Sequence, residues 1–135
     1  MKKLLITIAA VVLVGCGEGN LTKDELALIN AVENGKIERV KQLIEAGTNV
    51  SPKEKYTGYT PLHYATQSYF KEIAELLIAN GADVNAKCAH GFTVLDYLQH
   101  DNKKWISDGK DLKEEIIKLL RKNGAKLEAF KNAGN

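Results

Sequence analysis

One stretch of this chain occurs twice. Gly58-Tyr59-Thr60-Pro61-Leu62-His63-Tyr64-Ala65 returns thirty-three residues later as Gly91-Phe92-Thr93-Val94-Leu95-Asp96-Tyr97-Leu98. Self-similarity at a period of roughly 20–50 residues marks a repeat architecture. Each copy is one supersecondary unit too small to bury its own apolar face, so neighbours must stack. Shorter echoes extend the pattern: Ile78-Ala79-Asn80-Gly81-Ala82 is answered by Arg121-Lys122-Asn123-Gly124-Ala125. An earlier copy is visible in Ala31-Val32-Glu33-Asn34-Gly35 and Leu43-Ile44-Glu45-Ala46-Gly47. The length of 135 residues leaves room for one domain. Its units divide as about 22–54, 55–87 and 88–127, with a tail over 128–135.

Local chemistry predicts a helix-turn-helix in each unit. In the middle one, Thr60 is placed to cap a helix beginning at Pro61, where a missing N–H does no harm. Leu62 and Ala65 share one face of that helix; Ile73, Leu76 and Leu77 recur at helical spacing in the second. Gly81 stands where a left-handed C-cap is wanted. In the first unit Thr22-Lys23-Asp24-Glu25 has the form of a capping box. Leu28, Ala31 and Val32 continue its first helix, and Val40, Leu43 and Ile44 line the second. The third unit carries an insertion of about ten residues around His100 to Lys110, including Trp105-Ile106, which we expect to pack against the core. Its second helix is expected from Glu114 to Arg121, with Ile116, Ile117, Leu119 and Leu120 inward and Lys118, Arg121 and Lys122 outward. Tyr69 falls at an inter-helix turn. It is strained by ~1 kcal/mol if that turn has positive φ, and unstrained if the turn takes another shape.

Residues 58–65 and Gly81-Ala82-Asp83-Val84-Asn85 closely resemble the ankyrin repeat, with its Gly-x-Thr-Pro-Leu-His-x-Ala and Gly-Ala-Asp-Val-Asn signatures. The resemblance covers roughly residues 24–127. It implies an all-α solenoid of about three helix-turn-helix repeats with short hairpin loops. The third unit departs from the pattern, with Val94 for the family's Pro, Asp96 for its His and Leu98 for its Ala.

The amino-terminal segment is of another kind. Lys2 and Lys3 precede an apolar run, Leu4 to Val14, broken only by Thr7. A membrane span needs about 20 such residues; this run fits the apolar core of an export signal. Leu13-Val14-Gly15-Cys16 resembles the lipobox of bacterial lipoproteins, which implies cleavage before Cys16 and lipidation of its sulfur. Residues 1–15 are therefore expected to be a signal peptide and 16–21 a lipidated tether. The five residues Gly17 to Leu21 reach at most ~17 Å, which keeps the domain near the bilayer. Gly17 replaces the Asp that retains some enteric lipoproteins in the inner membrane, which tilts the expectation toward the outer membrane. Ordinary cleavage to a soluble secreted protein is the alternative.

Removing Lys2 and Lys3 with the signal leaves seventeen basic and seventeen acidic side chains. Such a neutral chain lacks the basic face that nucleic acid requires. With Cys16 lipidated, Cys88 is the lone thiol: a small tolerated residue, or a site of intermolecular pairing. No cofactor, metal or catalytic activity is expected. Cys88 and His90 are half a metal site at most, since structural zinc takes four ligands. No Gly-rich phosphate loop occurs. His63 belongs to the repeat motif, where the resemblance implies a structural role.

What remains is binding. The resemblance implies a protein partner held by hairpin tips and the exposed side of each first helix. Carried over by position, this selects Tyr56, Thr57, Tyr59, Gln67, Ser68, Lys87, His90 and Phe92. Tyr56, Tyr59 and Phe92 are expected to be exposed aromatics, the residue type enriched at hot spots; the alternative is that Tyr56 and Tyr59 pack on neighbouring hairpins. The expected whole is a monomeric module, membrane-anchored through Cys16, that binds or inhibits an envelope protein, with an immunity or regulatory role open. A structural stabiliser of an envelope complex is the rival.

Overall fold

Thr22, Thr60 and Thr93 each stand in extended conformation immediately before a helix, and those three helices are the inner row of the molecule. The computed structural model describes residues 20–101, 106–107 and 110–128. The expected signal peptide, Cys16, the tether through Gly19, Trp105 and the tail beyond Glu128 lie outside them. The inner helices are α1 (Lys23–Glu33), α3 (Pro61–Gln67) and α5 (Val94–His100). Each pairs with an outer partner: α2 (Ile37–Glu45), α4 (Lys71–Ala79) and α6 (Leu112–Lys122). α1 packs on α3 and α3 on α5; α2 packs on α4 and α4 on α6. This is an all-α solenoid, as the period requires.

The seam between the rows holds the core, where Leu28, Val32, Leu62, Leu77, Leu95 and Leu120 are fully buried. Each fully buried leucine contributes roughly 1.5–3 kcal/mol. α6 starts two residues before the expected Glu114, because Asp111 caps it by accepting the Glu114 N–H at 3.3 Å. Ile116, Ile117 and Leu120 are buried on it, Leu119 is half-buried, and Lys118, Arg121 and Lys122 are exposed. The insertion includes a two-residue antiparallel ladder, β1 (Ile106–Ser107) with β2 (Lys110–Asp111).

The same clasp recurs at the start of every inner helix. The N-cap threonine's main-chain N–H is taken by the side chain three residues on: Glu25 at 2.8 Å, His63 Nδ1 at 3.1 Å, Asp96 at 2.9 Å. The far atom of that side chain then reaches a later segment. Glu25 Oε1 accepts from the Asn49 amide at 3.3 Å, and Asp96 Oδ1 accepts the Glu128 N–H at 3.2 Å. His63 Nε2, buried and outside hydrogen-bond geometry with any partner, faces the Phe92 main chain. In the first and third units the capping side chain thus also ties the inner helix to the segment that follows the outer one.

Tyr69 closes the turn between α3 and α4 at φ 58°, where the first unit has Gly35 at φ 66°. Of the two turn shapes the sequence left open, the strained one is adopted. A side chain there costs ~1 kcal/mol, and two things offset it. Tyr69 is buried in the core, and its hydroxyl donates to Asp101 Oδ2 at 2.5 Å, at the end of α5. Lys71 adds a second tie between these units, 3.0 Å from Glu115.

Tyr69→Phe keeps the ring and the strain but loses a bond to a carboxylate, so it should lower unfolding free energy by about 1–2 kcal/mol in urea titration. An unchanged midpoint would show that the Asp101 contact adds nothing. Burial, chiefly, lowers the His63 pKa from 6.5 to about 4; the Phe92 carbonyl opposes the shift and Lys53 adds to it. The unfolded chain therefore binds the proton first. The stability held by neutral His63 is complete above pH 6.5 and drains as pH falls toward 4, by ~3 kcal/mol at most. Subtracting the pH–stability curve of His63→Asn should isolate that slope, and parallel curves would refute it.

Candidate functional site

Two hairpin tips project from the stack, one between α2 and α3 and one between α4 and α5. The first, residues 53–59, is tied to itself: the Glu54 N–H donates to the Tyr59 carbonyl at 3.0 Å, and the Gly58 N–H to the Glu54 carbonyl at 2.9 Å. The second closes through the Cys88 N–H to the Phe92 carbonyl at 2.9 Å. The tips touch through the Ala89 N–H, which donates to the Thr57 carbonyl at 2.9 Å. Gly58 is obligatory there. It has φ 69°, and a Cβ on it would stand 2.6 Å from the Ala89 nitrogen.

The aromatics behave differently from one another. Tyr56 is 85% exposed, as expected. Tyr59 and Phe92 are half-buried, which corrects the expectation of three exposed rings. Tyr59 stacks on His63, with ring centroids 5.3 Å apart and planes 4° from parallel, and meets Tyr64 and Tyr97 edge-on. Its hydroxyl donates to the Tyr97 hydroxyl at 3.0 Å. Phe92 lies 5.5 Å from the Tyr97 ring and 6.2 Å from His100. These rings join the units from inside; the physical cause is that Tyr97, one unit along, offers both a face and a hydroxyl.

Cys88 is buried beneath the second tip, its sulfur 3.2 Å from the Tyr97 hydroxyl. Burial opposes ionisation of its thiol. The Tyr97 hydroxyl and the main-chain N–H groups of Phe92, His90 and Gly91 outweigh it, and the pKa falls below the ordinary thiol value. Such burial leaves the sulfur poorly placed for the intermolecular disulfide that its sequence position allowed.

Of the remaining selected residues, Thr57, Lys87 and His90 sit on the tips with Tyr56. Thr57 is half-buried, its hydroxyl donating to Glu54 at 2.7 Å. Lys87 is exposed, 3.6 Å from Glu128, and His90 is exposed. Gln67 and Ser68 are exposed too, but at the far end of α3, roughly 10 Å along its axis from the tip. Sequence reasoning missed Lys53, Lys55 and Glu54. Glu54 also accepts from the Tyr64 hydroxyl at 2.7 Å. Burial and that carboxylate push the Tyr64 pKa up. Alternation of Lys, Glu and Lys at a tip was the available signal.

Among the described residues no three His, Cys, Asp or Glu side chains converge as a metal site. Nor is any described helix long and apolar enough to cross a membrane. A shallow hollow of about 320 Å³ lies on the inter-helix turns, between Gly35, Ile37, Phe70 and Leu112.

The family model described as Ankyrin repeats, in three copies, matches residues 3–88 and 28–131. The 2-5A-dependent ribonuclease of Homo sapiens is 40% identical over 77 residues, 57% of this chain and 10% of that protein. The BRCA1-associated RING domain protein 1 of Caenorhabditis elegans is 29% identical over 112 residues, 83% of this chain and 14% of that one. The protein phosphatase 1 regulatory subunit 27 of Mus musculus is 38% identical over 80 residues, 59% of this chain and 51% of that one. The chain thus spans between a tenth and a half of these relatives. With paired helices in two rows, glycine-turned tips and a threonine-led clasp in every unit, it belongs to the ankyrin-repeat family, a protein-protein interaction module.

Proposed function

We propose that this chain is a lipid-anchored module of the bacterial envelope, held by Cys16 and binding a protein partner through its hairpin tips. The binding half rests on one observation above all. Tyr56 stands 85% exposed on a tip whose backbone is already fixed by hydrogen bonds. A preorganised aromatic anchor loses little entropy on binding. Thr57, Lys87 and His90 share that surface, and Tyr59 and Phe92 support it from below. Gln67 and Ser68 contribute only to a partner long enough to run the length of α3. The anchor half is supported by Leu13-Val14-Gly15-Cys16 following a short apolar run. A multi-chain lipid anchor there would hold the domain at the outer membrane, where it masks or steadies an envelope enzyme, as an immunity or regulatory protein does.

Two measurements test the halves separately. Mass spectrometry of the mature amino terminus should find Cys16 as the first residue with lipid attached, and Cys16→Ala should leave the processed, lipidated form absent. An unlipidated mature chain would remove the anchor. Against the partner recovered from envelope extract, Tyr56→Ala with His90→Ala should weaken affinity about tenfold or more, while Glu72→Ala on the outer row leaves it unchanged. Equal affinities across all three proteins would remove the tip surface.

A further inference from the structure

We infer that the tips are built to receive an acidic protein segment, a reading that rests on the tip-binding function above and specifies its partner. The tips dispose of their own charge unevenly. Residues 53–59 and 86–92 contain three lysines, Lys53, Lys55 and Lys87, and a single carboxylate, Glu54. That carboxylate is turned inward. One oxygen, Oε2, accepts from both the Thr57 and the Tyr64 hydroxyls at 2.7 Å, and the side chain is only half-exposed. Glu54 therefore acts as an internal fastener, and three lysines against this one carboxylate leave the tips positive on balance. The lysines are exposed.

Their placement is ordered as well as positive. Lys53 crosses between tips, its ammonium donating to the Lys87 carbonyl at 3.2 Å. Lys55 lies over the ring of Tyr56, 5.8 Å from its centroid. A cation resting on an exposed ring gives one compact site that is both apolar and positive. A peptide carboxylate flanked by an apolar side chain satisfies both parts at once. The outer row differs: around Lys71, the acids Glu75 and Glu115 take up its charge, with Glu72 exposed beside them, and the exposed Lys118, Arg121 and Lys122 of α6 have no exposed aromatic ring among the described residues to pair with.

Anionic lipid is the other negative surface within reach of an anchored domain. Basic clusters that hold a bilayer carry about 4–8 Lys or Arg. Three lysines, one of them already beside Glu128, fall short of that. Nucleic acid likewise calls for a broad basic face that this chain lacks. A protein segment rich in Asp and Glu fits the size and the sign of the site.

The test places a photo-crosslinking benzoyl-phenylalanine at position 56 of the full-length protein in intact cells, with a second version carrying it at Glu72. Position 56 should yield a protein adduct whose crosslinked peptide contains Asp or Glu beside the attachment point. Adding Lys55→Glu and Lys53→Glu should cut adduct yield about tenfold while the protein keeps a cooperative thermal unfolding transition, and high salt should act in the same direction. Adducts at position 56 that survive both lysine substitutions, or a crosslinked peptide without carboxylates, would overturn the acidic partner while leaving tip binding in place. Lipid adducts at position 56 would overturn it in favour of the bilayer. Protein adducts from position 72 alone would overturn tip binding itself.

Discussion

An N–H at the start of an α-helix has no partner within the helix, and in this protein that unmet donor organises the whole stack. Thr22, Thr60 and Thr93 each surrender theirs to a side chain three residues ahead. Taken alone this is ordinary capping, worth about 1 kcal/mol. What makes it architectural is that Glu25, His63 and Asp96 each have a second polar atom, and each aims it beyond its own helix. In the first and third units the local stop signal and the joint to the chain beyond the outer helix are one group. Weakening the cap loosens the joint, so the cost of damage exceeds that of a lost cap. Helix pairs too short to persist singly are thereby held in register where their leucines pack.

The three versions of the clasp also differ in sign. His63, with Nδ1 accepting from Thr60, must carry its proton on Nε2 and so offers a donor toward the Phe92 carbonyl. Asp96 offers only acceptors, and its second oxygen takes the Glu128 N–H. Thr93 compensates by donating its hydroxyl to the Lys126 carbonyl at 3.2 Å. Exchanging His for Asp therefore requires the chain behind the third unit to present an N–H where the chain behind the second presents a carbonyl. Asp96 is fully buried, and its charge is met by those N–H groups and by the N-terminal end of α5.

The elements legible in the sequence are those whose causes are local. Thr22 with Glu25 and Thr60 before Pro61 announce helix starts within four residues. Leu28, Leu62 and Leu77 announce their faces by spacing alone, and a period of thirty-three announces the stacking. Tyr69 was legible in part: its turn is the position of Gly35, but the Asp101 that makes strain tolerable stands thirty-two residues away. The candidate site was least legible, because exposure is decided by the next unit. Tyr59 reads as a tip aromatic until Tyr97, thirty-eight residues on, meets its hydroxyl. Glu54 reads as a surface acid until Tyr64 bonds to it. Of the three tip aromatics, Tyr56 alone keeps the exposure its position suggested.

That contrast explains how a chain with a net charge of only +2 can still offer a charged site. A small stack cannot hold a large single-sign surface, since its helices need mixed charges to remain soluble and its rows are laced by pairs such as Lys71 with Glu115. The tips escape this constraint because they are fastened by main-chain bonds and by hydroxyls. Thr57 and Tyr64 stabilise Glu54 without a cation, which leaves Lys53 and Lys55 free of it. Tyr59, folded inward, supplies rigidity that an exposed ring would not. Binding surface and joint are therefore made from adjacent residues of one hairpin, alternately turned out and in, and the inward ones determine how firmly the outward ones are held.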